Sequence, residues 1–170
     1  RRAIRPTPVR LPEAFSKTPR MRIAQQPPPA LAVVAPERGD WQAFVDAHPQ
    51  GHLLQGLAWG DLKARFGWKM QRVAITDATG AIVAGAQLLF RRRYGLSVAY
   101  APRGPLFGGA PEVDRALLST IVRIARRQRA VLVRLEPNRL ETHPQSDIFH
   151  SWMLLQGARP AATIQPRSSV

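Results

Sequence analysis

Ala81-Ile82-Val83-Ala84-Gly85-Ala86-Gln87-Leu88-Leu89-Phe90 decides how this chain folds. Ile82, Ala84, Ala86, Leu88 and Phe90 alternate onto one face, and Val83, Gly85 and Leu89 leave the other face apolar as well. A strand apolar on both faces is covered on both faces, so it belongs inside an α/β layer structure rather than an open meander. Just upstream, 70–76 reads as its antiparallel partner, joined through the turn sequence Asp77-Ala78-Thr79-Gly80. Just downstream, 96–101 reads as a third strand.

Helices frame this block. Residues 31–35 read as a short first strand, and Asp40 is the predicted N-cap of a helix with Trp41, Phe44 and Val45 on one face. Pro49 and Gly51 stop it. A second helix over 57–66 places Trp59, Leu62 and Phe66 on one stripe, with Gly67 past its end. The longest helix begins at Pro111, a residue suited to the first helical position, and runs to 129. Val113, Leu117, Ile121 and Ile124 share its apolar face, while Arg115, Arg123, Arg126 and Arg129 form a charged face read as solvated. A buried strand over 131–135, a helix over 146–155 and a further strand from Thr163 complete the pattern. The predicted fold is α/β, a mixed sheet flanked by helices in the order β-α-α-β-β-β-α-β-α-β. Trp41, Phe44 and Trp152 are assigned to the core.

The chain has 170 residues, 45% of them hydrophobic, which is enough for one domain with a real core. It has no cysteine, so disulfides, thiolate metal sites and cysteine nucleophiles are excluded. Its 25 basic and 11 acidic residues leave a net charge of +14, which favours polyanionic partners: RNA, anionic lipid head groups or phosphorylated substrates. Residues 1–20 hold Arg1, Arg2, Arg5, Arg10, Lys17 and Arg20 against Glu13 alone, with Pro6, Pro8, Pro12 and Pro19 breaking any periodicity. The sequence therefore predicts a disordered basic tail over 1–30 and a folded domain over 31–170. No stretch approaches the roughly 20 apolar residues that span a bilayer. The N-terminus lacks a signal-peptide core as well, so the expected location is the cytoplasm.

The element order resembles the GNAT acetyltransferase superfamily. That resemblance implies a cleft where the strand ending at Ala101 and the strand 131–135 splay apart. An ordinary member carries Gln/Arg-x-x-Gly-x-Gly/Ala before the long helix, aiming backbone N–H groups at the coenzyme A pyrophosphate. Here that stretch reads Arg103-Gly104-Pro105-Leu106-Phe107-Gly108, with leucine in a glycine position and a proline that removes a donor. Other phrases resemble the Fem-type peptidoglycan bridge aminoacyltransferases. They are Leu54-Gln55-Gly56-Leu57-Ala58-Trp59-Gly60-Asp61-Leu62-Lys63 with Phe66-Gly67-Trp68, Gly85-Ala86-Gln87 with Arg91-Arg92, Tyr100-Ala101-Pro102-Arg103-Gly104-Pro105, Leu135-Glu136-Pro137 and Ile164-Gln165-Pro166-Arg167.

Fem-type proteins are built from two GNAT-like domains. The resemblance thus implies a truncated first domain with the second absent, and a fragment inactive by itself. It also implies transfer of an amino acid from aminoacyl-tRNA to a lipid-linked or nucleotide-linked peptidoglycan precursor, with no metal or organic cofactor. A lipid-linked substrate leaves peripheral association with the inner face of the membrane open. In family terms Lys63 matches a lysine that contacts the phosphorylated precursor, and Trp59, four residues earlier on the same helical side, stands beside it. Tyr100 and Arg103, at a strand end by the expected cleft, are further candidates for substrate binding, and Arg91, Arg92 and Arg93 for contact with a nucleic-acid backbone. Two alternatives stay open: a coenzyme A-dependent N-acyltransferase, and a basic RNA-binding or scaffold module without catalysis.

The predicted tail is testable. Limited trypsin digestion of the chain should trim it to near residue 30 and leave a stable core. Protection of the basic tail from trypsin counts against this.

Overall fold

The computed structural model describes residues 30–138, 146–162 and 164. The tail expected over 1–29 and nearly all of the strand expected from Thr163 lie outside the described residues. Ile164 itself is described, and stands in a bend.

Five strands form one sheet in the order β1-β2-β3-β4-β5: β1 (Ala32–Val34), β2 (Lys69–Thr76), β3 (Ile82–Arg93), β4 (Leu96–Ala101) and β5 (Ala130–Leu135). The first four are antiparallel neighbours, and β5 joins β4 in parallel through a helical crossover. Helices α1 (Arg38–Ala47) and α2 (Leu57–Arg65) precede β2, α3 (Pro111–Arg127) makes the crossover, and α4 (Ser146–Leu155) follows β5.

β3 is covered on both faces, as its sequence requires. Ala84, Ala86, Leu88 and Phe90 pack with Val113, Leu117, Ile121 and Ile124 of α3 in the main core, and Trp152 of α4 packs against it. The odd-numbered residues of β3 face α1 and α2. Trp41 of α1 is completely buried, lies against Gly85 and donates its indole N–H to the Gln55 carbonyl at 2.8 Å. Phe44 packs beside it. The Asp77 carboxylate closes the β2–β3 turn by accepting from the Thr79 and Ala81 amides.

Four details depart from the sequence reading. Asp40 lies inside the first turn of α1, not at its cap, which is Glu37 without a side-chain bond; an acid there still suits the helix dipole. α3 ends at Arg127, and Arg129, with φ 54°, turns the chain into β5. The stripe on α2 is not its packed face: Leu62 is 42% and Phe66 65% exposed, and Gly60 is the buried residue. Finally, β5 is not a buried strand, since Val131 is 66% and Leu132 54% exposed. Among the described residues β5 is the sheet edge, with no neighbour on its far side.

Gly85 and Gly39 make a direct test of this packing. A Cβ on Gly85 would lie 2.6 Å from Trp41 Cζ3 and 2.9 Å from the Val73 carbonyl oxygen, and neither the buried ring nor the strand backbone has room to move. Gly85→Ala should cost about 1–3 kcal/mol in urea unfolding. Gly39→Ala, in α1 with nothing within 4 Å, should be neutral or stabilising. Equal midpoints for the two variants would show that Trp41 does not seal the sheet.

Candidate functional site

The site is built outward from Gln87. Gln87 is fully buried at the middle of β3, and a buried amide is tolerated only when its groups are bonded. Its backbone N–H donates to Gln55 Oε1 at 2.7 Å, and its Nε2 donates to the Gly56 carbonyl at 3.0 Å. Its Oε1 accepts from Arg72 Nε at 2.9 Å. Gln55, itself fully buried in a 3₁₀ turn at Leu53–Gln55, donates from Nε2 to the Pro102 carbonyl at 2.7 Å. His52 caps that turn by accepting from the Leu54 amide through Nδ1. Because Gly60 has no side chain, α2 lies directly on Gln87: a Cβ at Gly60 would stand 2.5 Å from Gln87 Oε1. These bonds hold α2 over β2 and β3.

Beyond β3 the same sheet face is open. The register pairs Leu89 with Tyr100 and Tyr100 with Arg134, then Arg91 with Val98 and Val98 with Leu132. Directly paired residues share a face, so Val98, Tyr100, Leu132 and Arg134 all lie on the side that α1 and α2 occupy farther along the sheet. No described helix covers them. Val98 is 37% and Leu132 54% exposed, forming an apolar floor beside α2.

One end of that floor is a fixed charge cluster. Tyr100 Oη donates to Glu136 Oε2 at 2.6 Å, and Arg134 Nε donates to Glu136 Oε1 at 3.1 Å. The Ile164 amide donates to the same Oε1 at 2.7 Å. Burial would raise the Glu136 carboxyl, but these three hydrogen bonds outweigh it and hold the group below its ordinary value. The Glu136 backbone N–H reaches the Ala101 and Gly104 carbonyls. At the other end Arg91 bonds the Phe66 carbonyl, and its guanidinium lies 5.8 Å from the Trp68 ring centre. On α2, Lys63 Nζ stands 4.6 Å over the centre of the Trp59 ring. The Trp59 indole N–H is buried and has no partner among the described residues.

The sequence candidates therefore fall into four places. Trp59 and Lys63 form a stacked pair on α2. Tyr100 sits in the floor, tied to Glu136. Arg103 occupies the turn after β4 with φ 49°, and its charge, after burial, helps keep His52 below its ordinary pKa. Arg91 belongs to the floor, whereas Arg92 and Arg93 lie at the exposed hairpin end, where Arg93 stacks on Tyr94 at 5.1 Å. The expected splaying of strands is absent: β4 and β5 stay paired through Ala101 and Leu135, so the concavity lies on the sheet face and not between the strands. Sequence reasoning missed Arg134 and gave Glu136 no role. Period-two alternation carried one residue past β5 puts Arg134 and Glu136 on one face, but nothing local shows that the face is bare.

The loop before α3 explains what became of the phosphate-binding position. Leu106 is fully buried and exchanges backbone hydrogen bonds with Gly85 at 2.8 and 3.0 Å, which pins the loop to β3. The Gly108 and Gly109 amides both donate to Asp114 Oδ1, at 2.7 and 3.3 Å. A buried carboxylate thus occupies the donors that an anion would seek at this helix start.

A mixed sheet with this helical crossover defines a GNAT-like fold, shared with an acetyltransferase of Trypanosoma brucei at 19% identity and a TM-score of 0.53, over 82% of this chain and 99% of that one. The sequence profile of the FemAB family matches residues 37–152, and the chain belongs to that family. The crystal structure of FemX superimposes with a TM-score of 0.66 at 27% identity, covering 73% of this chain and 31% of FemX. The lipid II:glycine glycyltransferase of Staphylococcus saprophyticus is 33% identical over 99 residues, 56% of this chain and 24% of that protein. The chain thus spans about a quarter of the length of this relative.

The Glu136 cluster has a pH signature. Its folded pKa is depressed, so the unfolded chain takes up the proton first as pH falls. The stabilisation is fully present above the ordinary glutamate value of about 4.3 and is lost as pH falls from there through the folded value. Urea midpoints between pH 3 and 7 should fall less steeply on acidification for Glu136→Gln than for the wild type. Parallel curves would mean that the three donors do not favour the charged carboxylate.

Proposed function

We propose that this chain is part of an aminoacyltransferase that moves an amino acid from aminoacyl-tRNA to an amine on the stem peptide of a peptidoglycan precursor, building the interpeptide bridges of the cell wall. Family membership supports the reaction class, and the name of the staphylococcal relative specifies glycine transfer to lipid II. The observation that carries the reading is the bare β4–β5 face beside α2, apolar along its floor and cationic on its wall at Lys63 and Arg91. A peptide has room to lie along that floor while a phosphate meets the ammonium group of Lys63. The reaction needs the attacking amine to lose a proton and the ester oxyanion to be stabilised, with no covalent enzyme nucleophile. Such a protein works in the cytoplasm, at the inner face of the membrane when the precursor is lipid-linked. No helix among the described residues is long and apolar enough to cross a membrane.

The coenzyme A alternative is weakened by chemistry rather than by fold. Pro105 supplies no donor, Leu106 is held in the core, and Asp114 sets a negative charge against any pyrophosphate at the α3 start. No organic cofactor enters the proposed reaction.

Lys63 tests the reading. In the full-length protein, Lys63→Ala removes a charge-assisted contact worth roughly 1.5–3 kcal/mol, about ten- to a hundred-fold in precursor affinity. Lys63→Arg should recover part of it. Lys63 is half-buried over Trp59, so the thermal midpoints should differ by no more than that stacking contact, about 0.5–1 kcal/mol. Unchanged precursor binding in the alanine variant would reduce Lys63 to a cation resting on Trp59. A joint loss of stability and binding would make it structural.

A further inference from the structure

The outer face of α3 carries charge that the reaction above does not use. Arg115, Arg123, Arg126 and Arg127 line a cavity of about 560 Å³, with Leu118 and Val122 at its base and Gln156, just after α4, at one end. Among the described residues none of the four guanidinium groups pairs with a carboxylate, and Arg123 reaches only the Thr120 hydroxyl at 3.3 Å. The acids of α3, Glu112 and Asp114, both lie in its first turn, and Asp114 is committed to the loop amides. The helix dipole accounts for Arg126 and Arg127 in the last turn. It does not account for Arg115, which stands near the positive end of the helix. Four cations thus line one concavity with no described carboxylate to balance them.

We propose that this groove holds the phosphate backbone of an RNA, which the reading above takes to be the aminoacyl-tRNA donor. From Arg115 to Arg127 the helix rises about 18 Å, the axial length of about five phosphates on one strand of a duplex. No aromatic side chain lines the cavity, so bases are not stacked and recognition runs through phosphates without sequence preference. A bilayer is the competing anion, but it meets a protein along a flat face, whereas these arginines line a hollow. α3 covers the even-numbered face of β3, opposite the Tyr100–Glu136 floor. The RNA body is therefore held clear of the precursor, and only its acylated single-stranded end reaches round to the floor.

The test is fluorescence anisotropy with a labelled, unacylated RNA hairpin between 50 and 200 mM salt, on the wild-type chain and on R123A/R126A/R127A. The basic N-terminal segment is common to both, so their difference belongs to the groove. The variant should bind at least about tenfold more weakly at 100 mM salt, and its slope of log K against log salt should be shallower by about 2 to 3, since each arginine contributes about 0.7–0.9. R123K/R126K/R127K should recover most of the loss, because phosphates accept point charges. Unchanged hairpin affinity in the alanine variant would overturn the proposal. So would a loss confined to vesicles containing phosphatidylglycerol, which would make the face a membrane contact. Precursor titration on the same proteins separates the two readings. Hairpin binding that depends on the arginines stands even if no precursor binds, and in that case it is the aminoacyltransferase reading that falls.

Discussion

The mutual bonding of Gln55 and Gln87 holds the two halves of this fold in register. Each amide is buried, and an unmet buried polar group costs about 1–3 kcal/mol, so the pair tolerates only the arrangement that satisfies both. That arrangement ties three segments distant in sequence: the turn before α2, the middle of β3 and the loop that leaves β4 at Pro102. Trp41 closes the same junction from α1 by donating to the Gln55 carbonyl. Without the pair, the Arg91 bond to the Phe66 carbonyl at the end of α2 would remain as a polar tie between this helix and β3.

The position of α2 in turn decides what is left open. Because it meets the sheet through Gly60, it sits close to β3, and its larger apolar residues are left at its sides. Trp59 becomes a platform for Lys63, and Phe66 supplies a carbonyl to Arg91 rather than a ring to the core. β4 and β5 then continue the sheet past the helix layer with Val98 and Leu132 uncovered. The cationic wall and the apolar floor are thus consequences of one glycine contact and one strand register.

A second substitution of roles occurs at the start of α3. Where a nucleotide-binding member of this fold class offers free amides to phosphate, this chain spends them on Asp114 and anchors Leu106 against Gly85. The fold keeps its shape while the helix end becomes structural. The remaining positive charge of α3 lies along its outer face, on the opposite side of the sheet from the floor.

Much of the architecture is legible in the residues themselves. Two-sided hydrophobicity in 82–90 requires a strand covered twice, Pro111 starts α3 where its missing donor does no harm, and the period of Val113, Leu117, Ile121 and Ile124 fixes the face of α3 that packs. The phrases around Lys63, Tyr100 and Glu136 carried the family resemblance for the same reason: local chemistry is written in local sequence. What only the tertiary structure decided is which surfaces stay bare. The α2 stripe looked like a core face because periodicity records that residues align, not what they align against. β5 looked buried because it is apolar, yet it stands at the edge among the described residues. The pairing of Tyr100 and Arg134 around Glu136 joins residues more than thirty positions apart, and its existence depends on a parallel crossover register that no local pattern specifies.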